Sequence, residues 1–531
     1  MAQLDVFDVF DALTTVGRHR LLGPGGPHTV EDLLRDMDHF GVREALVLDC
    51  LSAESHPAEG NPRIIEAIAN QPRLHPAWTA LPSGTDEQPD PSELVQRMER
   101  SGVGALFLFT GVYKMSLADW SIDDLLAPLA ERGAPVFIRA NDYDEHGWDM
   151  TPWDDVVTLC RRWPTLPVVV TETRMRRSQR IIYRALEECE NLRIELSGYW
   201  LSRGIEYITS RFGAERLIFG SNWPHYGYGQ TLAMLTCSEI EPDDKQRIAG
   251  GNLRELLSWS VPAAPTEAPP APADELVRLG QTGEAPDGFR VHDCHGHLGG
   301  HMSHYHVPDG DLDSTVREMD RFGVERCVVF SMAGVVSDER YGNDLVADAL
   351  RRYPDRFVGL CLLNPHRGRE EMLAELGRCV DLGFRGIKLI AHYQGYPNEG
   401  PLIDVACEWV HEHRQIILNH DWGSVGQVER LTREYDQACF FTGHMSTAYA
   451  EVMRSAPNLY VCSCPLIPPG ECERVVAEIG ADRLLFGSDL LDLPIAWGLG
   501  PILFARLPVE DRMKVLGGNL EGILRRYSRT A

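Results

Sequence analysis

Two histidines, His295 and His297, stand two residues apart in the run Val291-His292-Asp293-Cys294-His295-Gly296-His297. On a β-strand, residues i and i+2 point to the same side, so both imidazoles are expected to enter one space. Paired imidazoles are ligands for Zn²⁺ and similar divalent ions. Downstream, further apolar runs end in residues that could complete such a site: Lys388, His420, His444 and Asp489. A lone His-x-His pair is commonplace. A series of strand ends that presents imidazole, amine and carboxylate together could hold a cation and also move a proton.

Such residues meet only if the strands carrying them are parallel and closed into a ring. In the second half of the chain the strand-like runs are 290–297, 326–332, 357–365, 386–390, 415–420, 438–444, 459–464 and 483–489. Amphipathic stretches at 315–322, 343–353, 369–382 and 402–413 alternate with them. Eight strands alternating with helices predict an α/β fold of the (β/α)₈ TIM-barrel type, whose site lies at the C-terminal ends of the strands. Ring closure would return Asp489, on the eighth strand, to the side of His295 and His297 on the first. Asn364 and His366 after the third strand, and His392 after the fourth, fall where substrate-contacting residues are expected. The loop after the first strand adds His301, His304 and His306 as pocket-lining or solvated histidines, and Cys462-Ser463-Cys464 closes the seventh strand.

The first half repeats the pattern. Met37-Asp38-His39-Phe40-Gly41-Val42 returns as Met319-Asp320-Arg321-Phe322-Gly323-Val324, and Phe219-Gly220-Ser221-Asn222 as Phe486-Gly487-Ser488-Asp489. Gly250-Gly251-Asn252-Leu253 returns as Gly517-Gly518-Asn519-Leu520. A repeat of this length predicts two tandem TIM barrels rather than a solenoid. Residues 261–275, rich in Pro and Ala, predict an extended linker with a short helix near 274–280. The expected organisation is therefore a first barrel at 1–260, a linker at 261–286 and a second barrel at 287–531.

His295-x-His297, Gly386-Ile387-Lys388, His420, His444, Phe486-Gly487-Ser488-Asp489 and Gly518-Asn519 together resemble the amidohydrolase superfamily. More narrowly they resemble its amidohydrolase 2 branch, which contains relatives of aminocarboxymuconate-semialdehyde decarboxylase along with lactonases and amide hydrolases. The resemblance implies that His295, His297, His420 and Asp489 bind one divalent metal, Zn²⁺ by preference. It also implies that Asp489 takes a proton from metal-bound water and passes it to the leaving group, while His444 polarises the substrate carbonyl. Lys388 is either a carbamylated bridge between two metals or an unmodified cation for a substrate carboxylate.

At the matching positions the first half is read as Phe10 and Ala12 for the histidine pair, Phe107 for Lys388, Ala140 for His420, Thr173 for His444 and Asn222 for Asp489. No His-x-His occurs within residues 1–260. The first barrel is thus expected to be a degenerate, pseudoenzyme copy. Its role would be to pack against the second like a dimer partner, to lend a loop to the active mouth, or to bind a regulator through Asp8, Asp11, Arg139, Glu172 and Asn222.

The bulk composition narrows the remaining classes. With 51 basic against 78 acidic side chains and a formal charge of −27, the chain lacks the basic balance of a nucleic-acid binder. Thirteen cysteines at scattered spacing predict reduced thiols and a cytoplasmic protein. The N-terminus predicts no signal peptide, and no stretch reads as a membrane helix. The expected partners are a small-molecule substrate and the first barrel itself, or a second copy in a homodimer. The leading expectation is a metal-dependent hydrolase cutting a C–N or C–O bond of an amide, lactam or lactone. The alternatives are a non-oxidative decarboxylase of an aromatic or unsaturated acid, and a non-catalytic scaffold.

Overall fold

The structure, a computed structural model, describes residues 7–20, 22–23, 25–140, 151–262, 270–303 and 305–527. His304 of the histidine-rich loop, much of the Pro/Ala segment and the residues just after Ala140 lie outside these. The chain forms two compact units, Met1–Glu284 and Ala285–Ala531.

In the first unit the parallel strands are β1 (Val9–Val16), β2 (Val42–Asp49), β3 (Leu74–Thr79), β4 (Ala105–Phe109), β5 (Val136–Arg139), β6 (Val168–Val170), β7 (Leu192–Glu195) and β8 (Leu217–Ile218), hydrogen-bonded in that order. Ala12 N donates to Phe219 O at 3.0 Å and Thr15 N to Trp223 O at 2.9 Å, which carries the ladder from β8 back to β1. The interior is packed with apolar residues, among them Leu13, Leu48, Phe107, Phe109 and Phe137. Phe107 and Phe137 stack with ring centroids 4.5 Å apart.

In the second unit, β9 (Val291–Leu298), β10 (Val324–Ser331) and β11 (Phe357–Gly359) form one parallel sheet. The strands β12 (Cys361–Leu362), β13 (Gly386–Leu389), β14 (Ile416–Asn419), β15 (Cys439–Thr442), β16 (Leu459–Cys462) and β17 (Leu484–Leu485) form another. Only Leu360 separates β11 from β12, and Leu360 N still donates to Val329 O at 2.9 Å. At the other seam Cys294 N donates to Phe486 O at 2.8 Å and Asp489 N to His295 O at 2.9 Å. This ring is less continuous than that of the first unit, but the second seam sets Asp489 beside the histidine strand.

The repeated motifs have repeated physical causes. The helices Val30–Phe40 and Leu312–Arg321 bury Met37 and Met319. Gly41 and Gly323 then turn the chain into the next strand at φ 79° and 64°, in the left-handed region that glycine enters without Cβ strain. Asn252 Nδ2 donates to Ala214 O and Leu217 O, and Asn519 Nδ2 to Ala481 O and Leu484 O, all at 2.8–2.9 Å. Each asparagine ties the helix it opens, Asn252–Leu257 or Asn519–Tyr527, to the start of the eighth strand of its unit. Within the segment read as linker, the helix Glu275–Thr282 is capped by Asp274 and packs on Tyr228–Thr236, where Thr236 Oγ1 donates to Gly280 O at 2.8 Å. It is part of the first unit.

The register corrects the pairing of the halves that was read from sequence. The first strand runs over Val9–Val16. Asp11 pairs with Ala45 as Asp293 pairs with Cys327, and Thr15 pairs with Leu48 as His297 pairs with Phe330. Leu13 and Thr15 therefore stand where His295 and His297 do, not Phe10 and Ala12. By the same ladders Arg139 matches His420 and Glu172 matches His444, each one residue earlier than expected. Phe107 and Asn222 keep their expected places opposite Lys388 and Asp489.

Candidate metal centre

The histidine strand is not a plain extended strand. Between Asp293 and Gly296, β9 carries one residue more than β10 opposite it. Such a bulge re-aims the side chains around it, and here His295 is one of the two residues in it. Asp293 anchors the bend. Its Oδ1 accepts from His295 N at 2.9 Å and Ser488 N at 3.1 Å, while Oδ2 accepts from Ser488 Oγ. One buried carboxylate thus ties the histidine on the first strand to the loop that presents Asp489. Asp489 adopts φ 62°, a left-handed conformation that Asp and Asn tolerate better than most side chains.

The result is a tight cluster. His297 Nε2 lies 2.7 Å from Asp489 Oδ1, and His295 Nε2 lies 3.5 Å from the same oxygen. One ligand atom from each of His295, His297 and Asp489 falls within 4.8 Å of the others. Among the described residues this is the one group of three His, Cys, Asp or Glu side chains so placed. His444 stands 5.5 Å from His295, ring centre to ring centre, and 4.4 Å from His420. His420 is thus joined to the trio through His444 and stands outside the tight group. Lys388, fully buried, holds its Nζ 4.2 Å above the Phe330 ring, which also packs on both strand histidines.

The sequence-predicted substrate residues divide. His392 lies parallel to His420 at 6.2 Å, and Tyr393 meets His420 edge-on at 5.9 Å, so both line the approach. His366 packs near Tyr396, 6.1 Å away, on an exposed turn. Asn364 spends its Oδ1 on capping that turn, accepting from His366 N at 3.0 Å. His301 and His306 stack 4.9 Å apart on the loop beyond β9.

Electrostatics favour ligand-competent protonation states. Burial drives the His295 imidazole well below its usual range, with nearby Lys388 adding to the effect. Burial likewise holds His420 down, at about 2, and lowers His444. Neutral imidazole is the form that binds metal. Burial would raise Asp489, but His297, His295 and His444 outweigh it and keep the carboxylate well below its ordinary value. Burial lowers Lys388 to about 7, against the pull of Asp489.

The donor set fits a divalent cation. Three N and O donors converge on one point, and three buried atoms of the cluster itself, His297 Nδ1, His420 Nδ1 and Lys388 Nζ, have no hydrogen-bond partner among the described residues. Orphaned polar atoms at this density are costly in a dry core and are expected where an ion, water or substrate completes the shell.

Three contributors escaped the sequence reading: Asp293, Phe330 and the contact of Cys462 with His295. Asp293 had a usable signal, since the Met37/Met319 spacing aligns it with Asp11. Phe330 and Cys462 had none, because their roles depend on strands brought together by closure.

Known proteins bear on the site as follows. The amidohydrolase family matches this chain twice, over residues 27–259 and 292–525. An L-fucono-1,5-lactonase of Burkholderia ambifaria is 26% identical over 260 residues, covering 43% of this chain and 83% of its own. Among solved structures, an uncharacterised TIM-barrel protein of Bordetella bronchiseptica is 17% identical at a TM-score of 0.37, covering 45% of this chain and 100% of its own. A dihydroxybenzoic acid decarboxylase of a Polaromonas species, solved with manganese and 2-nitroresorcinol, is also 17% identical at 0.37, covering 45% of this chain and 98% of its own.

Proposed function

The chain belongs to the amidohydrolase family, and on that premise we propose that its second unit hydrolyses a C–O or C–N bond of a small molecule, a lactone or an amide, while its first unit is non-catalytic. The observation that carries this reading is the convergence of His295, His297 and Asp489 on one buried point beside Lys388.

His295, His297 and Asp489 would hold one divalent ion, Zn²⁺ by donor type, with His420 as the further ligand. When bound, such an ion supplies Lewis acidity and lowers the pKa of coordinated water toward ~7. Both imidazoles address Asp489 through Oδ1. Its Oδ2 is left to take a proton from water and return it to the leaving oxygen or nitrogen, a general base that becomes a general acid. Asp489 starts ionised because its histidine neighbours hold it so. His444, neutral through burial, donates to the substrate carbonyl oxygen as charge develops there. His392 and Tyr393 orient the remainder of the substrate at the mouth. The lactonase relative favours a cyclic ester within this class.

The first unit has Leu13, Thr15, Phe107 and Asn222 at the corresponding places, and Phe107 stacks on Phe137 within an apolar core that also holds Leu13. No position there offers an imidazole or carboxylate in place of His295, His297 or Asp489.

Decarboxylation is the second reading, and Lys388 favours it. A buried amine 4.2 Å above an aromatic ring is suited to a substrate carboxylate.

Elemental analysis of the purified protein beside His295→Ala, with an assay of sugar lactones, simple amides and hydroxybenzoates, tests both. One equivalent of metal in the wild type, lost in the variant together with lactone or amide hydrolysis, is the expected result. Metal-dependent CO₂ release from the acids alone selects the second reading. A metal-free wild type overturns the centre.

A further inference from the structure

His295 has a ring nitrogen that the proposed centre does not use. Nε2 faces Asp489, whereas Nδ1 lies 3.8 Å from the sulfur of Cys462 on β16. Both side chains are buried, at 1% and 0% exposure, so water does not compete for this contact. The sulfur reaches past the chain just beyond β17 because the intervening residue there is Gly487. A Cβ at that position would overlap Cys462 Sγ and press on His295 Cβ at 3.1 Å. The sulfur is itself held in place, accepting from Cys464 N at 3.5 Å.

A histidine that binds metal through one nitrogen must carry its proton on the other. The group accepting that proton sets both the tautomer and the ring plane. Carboxylates and carbonyls are the usual acceptors. Here the acceptor in reach is a thiol.

We propose that Cys462 is the positioning residue of this centre: its Sγ accepts the Nδ1–H of His295 and so commits Nε2 to the metal. The proposal rests on the metal-centre reading above. The first unit supports the assignment by contrast. It keeps the gap at Gly220 but fills it with Glu195, whose carboxylate accepts from Ser197 N at 2.6 Å and Ser197 Oγ at 2.7 Å. Its strand-1 residue at the matching place is Leu13, whose side chain has no N–H to give. Where the imidazole is absent, the strand-7 acceptor turns to a different donor.

The test compares Cys462→Val, which keeps the volume and removes the acceptor, with Cys462→Ser, which keeps an acceptor. Zn²⁺ affinity of the metal-stripped full chain is measured by competition with a chelating dye. The valine variant should bind about 10–100-fold more weakly, and the serine variant within a few-fold of wild type. Wild-type affinity in the valine variant overturns the proposal. So does an intense near-ultraviolet sulfur-to-metal band on Co²⁺ loading of the wild type, which would make the sulfur a ligand. The metal-free protein provides a separate readout. Long-range ¹H–¹⁵N spectra, assigned with His295→Ala, should show His295 as the Nδ1–H tautomer in wild type and not in Cys462→Val. If the wild type binds no ion, the centre itself is wrong, and this tautomer still decides the role of Cys462.

Discussion

Asp11 and Asp293 act alike in the two units. Asp11 Oδ1 accepts from Leu13 N at 3.0 Å and Ser221 N at 2.9 Å, and Oδ2 accepts from Ser221 Oγ at 2.5 Å. Asp293 makes the same three bonds to His295 and Ser488. Both lie at a bulge, and both are followed across the seam by a left-handed residue, Asn222 at φ 60° and Asp489 at φ 62°. Two residues further along the first strand the units part. One presents leucine and threonine, the leucine sharing the apolar core with Phe107 and Phe137; the other presents two imidazoles aimed at a carboxylate. The scaffold that bends the strand is separable from the groups it aims, because the bend is held in both units by the same buried acid and the same donors.

This contrast can be broken experimentally, most severely at the imidazoles. His295→Ala/His297→Ala should abolish metal binding and lower kcat/KM by at least about 10³-fold, whereas Thr15→Val in the first unit should leave metal content and rate unchanged. A rate loss from Thr15→Val would show that the first unit takes part in catalysis.

Asp489→Asn makes the second mouth imitate the first at one position. It removes the proton acceptor, so kcat should fall by about 10²–10⁴-fold. Asparagine accepts the left-handed backbone, so the thermal midpoint should move by only a few degrees; a collapse of stability would mean that the acid holds the seam.

Removing the shared scaffold should hurt both units. Asp11→Ala and Asp293→Ala each strand the buried serine and amide donors, a loss of about 2–4 kcal/mol readable by calorimetry. Only Asp293→Ala should also lower activity.

Asp11 further predicts a pH dependence. Burial pushes its carboxyl from 3.8 up to about 7, against the hydrogen bonds from Ser221 and Leu13. An acid whose folded pKa exceeds its unfolded one binds more protons when folded, so its contribution falls as pH rises between about 4 and 7. The stability of wild type relative to Asp11→Asn should decline across that window. A gap that widens with pH would reverse the assignment.

Least disruptive is Asn222→Asp. Arg139 Nη1 already donates to Asn222 Oδ1 at 3.0 Å. The new carboxylate should pair with the guanidinium and gain no metal by elemental analysis. A second bound ion would show the first unit to be closer to a working centre than its residues suggest.

Much of this was legible beforehand, and the reasons are local. Alternating strands and helices, the duplication, and polar residues at strand ends follow from periodicity, so His295, His297, Lys388, His420, His444 and Asp489 could be named without coordinates. The pairing of the halves slipped by three residues on the first strand because the apolar run before Val9 reads as strand-like. The Asp11/Asp293 match, which has no apolar periodicity to announce it, is what corrects the slip. His420 was read as an equal ligand, yet sequence spacing carries no distance across a ring.

By itself, the sequence determined which residue types stand at which strand ends, and that the second half alone carries a His-x-His. These are properties of chain order and a two-residue repeat. Only the tertiary structure decided which of those residues meet. Asp489 reaches His297 through a seam held by Asp293, Lys388 sits over Phe330 with no hydrogen-bond partner among the described residues, and Cys462 reaches His295 through the space that Gly487 leaves open. Each of those contacts joins strands far apart in the chain. They depend on register, bulge and closure, which are set by packing of the whole unit and not by any segment within it.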